Sequence, residues 1–297
     1  MKKLYTLLAL TITFSMNAQV STNSTSPTGI YASAMGNGTT ASGNESTAMG
    51  YDTTASGEAS TAMGYSTTAS TQASTAMGKL TTASGLNSTA MGYSSTASGS
   101  RSTAMGQSTT ASATFSTAMG LGTTASDYSS TVIGQYNSSG SSATSANSFS
   151  TSAPAFVIGN GTASNAKSDA FKVMFNGDAT VSNDLTVSGD VVISSDARLK
   201  SNIESLGSTL PKLLQIDGKS YEIKGKQKIG VLAQEIKEVF PELVSKDDNE
   251  MFAVNYQGLV PVLINALKEQ DAKMKEQEKK INRLEKILLK LNENYED

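Results

Sequence analysis

Glycine recurs every fourteen residues, at positions 36, 50, 64, 78, 92, 106, 120 and 134. Met precedes it at 35, 49, 63, 77, 91, 105 and 119, with Ile133 in the eighth register, and Ala precedes Met from Ala34 to Ala118. A second Ala falls halfway, at 41, 55, 69, 83, 97, 111 and 125, so each unit is two seven-residue halves. The Gly/Ser/Thr-rich composition alone predicts disorder. A fixed period predicts the opposite, because it is the mark of a stacked solenoid. Each half supplies a short strand such as Ser46-Thr47-Ala48-Met49-Gly50, with Thr47 and Met49 facing one way and Ala48 and Gly50 the other. Each Gly permits a tight corner, and no Pro interrupts the ladder between Pro27 and Pro154. Coils stacked about 4.7–4.9 Å apart turn like residues into ladders, and eight registers into a rod of roughly 35–40 Å.

One such coil encloses little, since its apolar residues are Ala and a single Met. Burying so few methyl groups does not offset backbone ordering at about 1–2 kcal/mol per residue. The rod is therefore expected to be stable only when several copies pack side by side.

Ser46-Thr47-Ala48-Met49-Gly50, Ser130-Thr131-Val132-Ile133-Gly134 and Phe156-Val157-Ile158-Gly159 resemble the Ser-Val-Ala-Ile-Gly unit of YadA-like trimeric adhesin heads. The resemblance covers residues 31–140. It implies a left-handed parallel β-roll of 14-residue coils in a homotrimer, with a core thinned by Met and Thr in place of Ile and Val. The resemblance does not extend to the membrane β-barrel of such adhesins, so self-anchoring through an outer membrane is not expected.

Charge separates this region from the C-terminus. Of 49 charged residues, 35 lie from Asp196 onward, against six between Tyr31 and Gly140. The net charge of −3 gives no reason to expect nucleic acid as a partner. No His or Cys is present, which excludes Ser-His-Asp and thiol nucleophile chemistry, disulfides, and His- or Cys-ligated metals; no cofactor is expected. Lys2 and Lys3, the apolar run Leu4 to Phe14 and Met16-Asn17-Ala18-Gln19 read as a signal peptide over 1–18, cut after Ala18. No later segment has the length and apolarity of a membrane helix, so the mature chain is expected to be exported, extracellular or at the cell surface.

Residues 141–195 read as a Ser-rich linker, over Ser138 to Ala153, followed by a β-structured neck. Its β-prone runs are Phe156-Val157-Ile158, Phe171 to Phe175 and Val191-Val192-Ile193, with turn signals at Asn160-Gly161 and Asn176-Gly177. The remaining module, 196–297, opens on Ser194-Ser195-Asp196-Ala197-Arg198-Leu199-Lys200. It continues through Ile229-Gly230-Val231-Leu232-Ala233-Gln234-Glu235-Ile236, Val239 to Val244 and Val254-Asn255-Tyr256, and ends in a charged helix.

These segments, in this order, resemble the intramolecular chaperone domain of endosialidases and phage tail spikes and fibres, with collagen-like phage proteins and myelin regulatory factor among its relatives. The resemblance implies an α+β domain that trimerises the chain, helps the upstream β-structure fold and then cuts itself off. A Ser–Lys dyad, matched here by Ser195 and Lys200, does the cutting, at the Ser195/Asp196 junction. Asp196 and Arg198 match its flanking positions, and Gly230, Gln234 and Glu235 its downstream motif. Chemically, a serine without a His partner needs another base, and Lys serves if burial or nearby positive charge lowers its proton affinity. Arg198 can supply that charge or pair with Asp196. The competing readings are a retained fold with lost cleavage, and Gln234 and Glu235 as helix residues making structural hydrogen bonds.

From Tyr256 to Asn292, Leu267, Met274, Ile281 and Leu288 interlock with Leu263, Gln270, Gln277, Leu284 and Leu291, an a/d coiled-coil seam with Gln at two core positions. The alternative is a helix packed on its own domain. Glu276/Lys280 and Glu269/Lys273 read as i,i+4 pairs. The reading that follows is an exported, trimeric, tail-fibre- or adhesin-like protein with a self-processing chaperone. Its alternatives are a structural fibre with an inactive remnant, or a rod that binds glycan or ice through a ladder of Thr54, Thr68, Thr82, Thr96, Thr110 and Thr124.

Overall fold

The computed structural model describes residues 22–247 and 250–293. The expected signal peptide lies outside them. The chain forms two compact units, divided after Asp190.

The first unit is a β-solenoid. Each fourteen-residue coil gives one five-residue strand, such as Thr47–Tyr51, and one two-residue strand, such as Thr54–Ala55. The long strands stack parallel with the sequence period as their register: Thr47 on Thr61, Ala48 on Ala62, Met49 on Met63, Gly50 on Gly64. The short strands form a second parallel ladder, Thr54 on Thr68 and Ala55 on Ala69. Both Ala columns are fully buried from Ala41 and Ala48 onward, together with Thr53, Ser60 and their equivalents, and Ala34 in the first coil is half-buried. Met lies on the opposite side of the strand from Ala, and Met49 remains 38 % exposed. The rod's interior is thus Ala, Thr and Ser, thinner than a core containing Met.

The corners are set differently from the simple expectation that Gly supplies them. Gly50 and its equivalents adopt φ between +93° and +129°, but the left-handed corner residues are mostly not Gly: Asp52, Ser66, Leu80 and Ser94 in one column, Ala59, Ala73, Asn87 and Arg101 in another. What makes the Gly50 column obligatory is close approach as well as conformation. A Cβ on Gly50 would stand 2.0 Å from the carbonyl oxygen of Gly64 in the next coil. Outward side chains ladder too: Tyr51 stacks on Tyr65 with centroids 5.0 Å apart, and Lys79 sits between Tyr65 and Tyr93.

The segment expected to be a linker instead closes the solenoid. The buried Asn137 side chain stands in for a missing strand: its Oδ1 accepts from Thr124 N at 2.8 Å and its Nδ2 donates to Thr124 O at 2.8 Å. Asp127, buried where most coils have Gly, accepts from the Thr144 and Ser145 amides at 2.6 and 2.7 Å. Asp169 accepts from the Ser138 and Ser139 amides at 2.9 and 2.8 Å. Serine-rich chain is therefore held by carboxylates and an amide rather than by burial of its own side chains. Beyond it, Pro154–Asn160 adds one more parallel strand, pairing Val157 with Val132, and Asp169–Met174 and Ala179–Val181 finish the sheet antiparallel. Val191-Val192-Ile193 forms no strand. It has no partner strand among the described residues, and Val192 is 88 % exposed.

The second unit is small and mixed. A four-residue helix, Leu210–Leu213, precedes the hairpin Lys219–Ile223/Lys226–Gly230, whose turn places Lys224 and Gly225 at positive φ. The helix Ala233–Val239 and the hairpin Val244–Lys246/Phe252–Val254 follow. Ile236, Phe240 and Val262 form the core, with Leu213, Val231, Leu243 and Val254 against them. A 3-10 turn, Tyr256–Gly258, leads into the 35-residue helix Leu259–Glu293. Pro261 is accommodated in its first turn, where no intrahelical N–H bond is lost. Val262 and Ala266 tie the start of the helix to the core, whereas every residue from Gln270 to Leu291 is exposed, seam included. Among the described residues no helix is long and apolar enough to cross a membrane.

Candidate active site

The residues around Ser195 are brought together by a single tight turn. Ala197–Leu199 is a 3-10 turn capped by Asp196, whose Oδ1 accepts from the Arg198 amide at 2.8 Å. The guanidinium of Arg198 folds back onto the same carboxylate, Nη2 to Oδ2 at 2.7 Å and Nε to Oδ1 at 3.0 Å. Of the two roles open to Arg198, the single chain shows the pair with Asp196. The pairing holds the Asp196 carboxyl below the usual carboxylate range, through the Arg198 side chain first and its amide second, and raises Arg198 in turn. The turn closes with Lys200 N donating to Ala197 O at 3.1 Å.

Its consequence is that a five-residue spacing becomes a contact. Lys200 Nζ donates to Ser195 Oγ at 2.7 Å. For the lysine to take the serine's proton, the same pair must operate with Lys200 uncharged. That requires cover or positive charge near Nζ, and here the pair stands exposed with Arg198's charge engaged by Asp196. The isolated chain thus brings the Ser195 hydroxyl and the Lys200 side chain into contact without enclosing them.

Gly230, Gln234 and Glu235 lie elsewhere in the unit. Gly230 ends its strand beneath two tyrosines; a Cβ there would stand 2.6 Å from Tyr256 Oη and 2.9 Å from Tyr221 Oη. Gln234 lines an open groove of about 470 Å³ together with Tyr221, Leu232, Met251, Phe252 and Tyr256. Tyr256 Oη accepts from Val231 N at 3.2 Å. Glu235 has a structural role here: it accepts from Asp217 N at 3.2 Å and lies 3.4 Å from Lys219 Nζ. No hydrogen bond or ion pair among the described residues joins these three to Ser195 or Lys200. Tyr221 and Tyr256 were not legible as site residues, because nothing in their spacing distinguishes them from strand and turn tyrosines.

Glu269 is likewise not an i,i+4 partner of Lys273. Its carboxylate accepts from Ser208 Oγ at 2.8 Å and Leu210 N at 3.2 Å, and from Thr209 N, so it caps the Leu210–Leu213 helix from the long helix. Glu276 and Lys280 do pair, at 2.7 Å.

Comparison with known families matches these two units separately. Residues 28–53, 55–81, 83–109 and 111–137 match the YadA head domain repeat, two coils to each copy. Residues 195–245 match the peptidase family described as chaperone of endosialidase, from Ser195 through the second hairpin's first strand. No curated protein matches the chain. The chain is thus similar to the YadA head repeat over its solenoid and to the endosialidase chaperone family over residues 195–245.

Proposed function

We propose that the protein is an exported homotrimeric fibre of adhesin or tail-fibre type, whose C-terminal module gathers three copies, assists folding of the solenoid and then severs itself at Ser195/Asp196. The observation that carries this reading is the 2.7 Å contact between Lys200 Nζ and Ser195 Oγ. In the reaction, Ser195 Oγ attacks the Ser195 carbonyl carbon as Lys200 accepts the hydroxyl proton; the C–N bond to Asp196 breaks with that proton passing to the Asp196 amine, and a water that gives its proton to Lys200 then hydrolyses the serine ester to a free Ser195 carboxylate. Asp196 and Arg198 hold the turn that aligns the pair.

The seam of the long helix supports assembly: Leu267, Met274, Ile281 and Leu288 are 55–69 % exposed in the single chain. Three copies joined there raise the local concentration of the upstream segments to about millimolar. That matters for a rod of near-identical coils, in which a one-coil slip between chains changes few contacts and assembly through distant contacts is slow. If trimerisation also encloses Lys200, cleavage reports completed folding and leaves a rod held by its unfolding barrier. Mass spectrometry of purified wild-type and Ser195→Ala chains tests the reading. The wild type is expected to lose residues 196–297 and the variant to stay whole; a variant that still cleaves eliminates the nucleophile.

A second reading, recognition of an ordered glycan or ice by the rod, is favoured by the in-register column from Thr40 to Thr124 on the short-strand sheet, half-buried rather than covered. Glycan-array binding and thermal hysteresis of the isolated rod test it, and loss of both would dismiss it.

A further inference from the structure

Two apolar surfaces in the C-terminal unit are left bare in the single chain. One is Val191-Val192-Ile193, extended and unpaired, with exposures of 63, 88 and 56 %. The other is the groove beside Gln234, where Leu232, Met251 and Tyr256 are 42, 66 and 52 % exposed. The segment ends two residues before Ser195, and the groove contains Gln234. Whatever joins them brings the two halves of the candidate active site together.

We propose that the groove receives the Val191–Ile193 segment of a second copy of this chain, so that the peptide leading into Ser195 is presented to Gln234 of its neighbour; this rests on the self-cleavage reading. Three observations select that occupant. Val191-Val192-Ile193 is β-prone chain with no strand partner, and a wall of apolar side chains carrying tyrosine hydroxyls and an amide suits an extended peptide, whose backbone needs partners while its side chains need cover. The residues that line the groove do not include the chain's own Val191, Val192 or Ile193. Finally, Met251 to Tyr256 leads directly into the long helix at Leu259, so copies gathered along the exposed seam arrive at this wall. Gln234 is on this account a positioning residue, holding the peptide rather than reacting with it.

The chain contains no cysteine, which makes the contact directly testable. In full-length Ser195→Ala background, a Val192→Cys chain is co-expressed with a Met251→Cys chain of different tag length, oxidised mildly and run on a non-reducing denaturing gel. The expected result is a mixed disulfide-linked pair at least tenfold more abundant than with Lys286→Cys, about 40 Å along the helix from Leu259. Equal yields, or a link formed only within a chain carrying both cysteines, overturns the proposal. Because the background cannot cleave, a mixed pair alongside a wild type that never cleaves would uphold the docking and sink the self-cleavage reading. In the cleaving chain, Val192→Asp is expected to slow processing at least tenfold while Val192→Ile does not. Unchanged processing in Val192→Asp counts against the groove's role.

Discussion

Gly78, in the middle of the rod, offers the sharpest test of how the solenoid is held. Its φ is +115°, and an added Cβ would lie 2.1 Å from the carbonyl oxygen of Gly92 and 3.0 Å from its carbon. Two costs follow for Gly78→Ala. An L-residue in such a backbone conformation costs about 1–3 kcal/mol. Overlap with a backbone atom adds about 1–3 kcal/mol, because no side chain can rotate away. Gly92 cannot yield by sliding, since it stands in the same relation to Gly106, where its own Cβ would lie 2.1 Å from oxygen. The expected loss is thus about 2–6 kcal/mol, localised at one interface between coils, where a stack with only nearest-neighbour contacts is divided in two. Gly218→Ala is the control, because nothing lies within 4 Å of its added Cβ. Urea unfolding of both variants, followed by circular dichroism in the β region, measures the difference. A Gly78→Ala midpoint equal to that of Gly218→Ala would refute the reasoning.

Asn137→Ala removes the amide that pairs both backbone groups of Thr124, and is expected to cost about 2–4 kcal/mol; hydrogen exchange at the Thr124 amide should accelerate while exchange at Thr68 stays unchanged. Lys200→Arg keeps the charge but not a usable base, and should slow self-cleavage by about 10²–10⁴-fold, read from the intact-to-cleaved ratio. Asp196 has its acidity strengthened by Arg198, so the turn's ion pair is fully formed above the ordinary carboxylate range, near pH 4, and is lost as pH falls through the lowered folded value. The Arg198 Nε–H resonance should therefore move only below about pH 4; movement near neutrality would contradict the pairing. Glu269→Ala is expected to expose the Thr209 and Leu210 amides to exchange while leaving the Glu276–Lys280 pair intact, which amide exchange distinguishes from general loss of the helix.

The legible parts of this protein are those written many times or written locally. Ala48, Met49 and Gly50 recur at one period, so strand and register follow from counting. Ser195 and Lys200 are separated by one turn, so their contact needs little beyond local geometry. The illegible parts occur once and depend on distant partners. Asn137, Asp127 and Asp169 cap the solenoid through backbone groups that any sequence could offer, which is why the serine-rich stretch read as a linker. Met49 read as core because it is apolar, but in so narrow a coil only the Ala side of the strand is enclosed. The positive-φ corners at Asp52 and Ala59 carry no glycine to mark them, and their strain is distributed over stacked hydrogen bonds. Val191-Val192-Ile193 has strand composition without a strand, since composition reports what a segment can pair with and no partner strand meets it among the described residues. Tyr221 from a hairpin strand and Tyr256 from the 3-10 turn before the long helix converge over Gly230, a meeting that only the fold reveals.

The central claim is that three copies are gathered by a module that then removes itself. Native mass spectrometry of the wild-type protein, followed by denaturation of the same sample, tests it most directly. The account predicts an assembled species of three chains, each resolving on denaturation into a rod fragment ending at Ser195 and a fragment beginning at Asp196. Trimers whose chains all remain full-length, or a well-folded rod on a single chain, would contradict it.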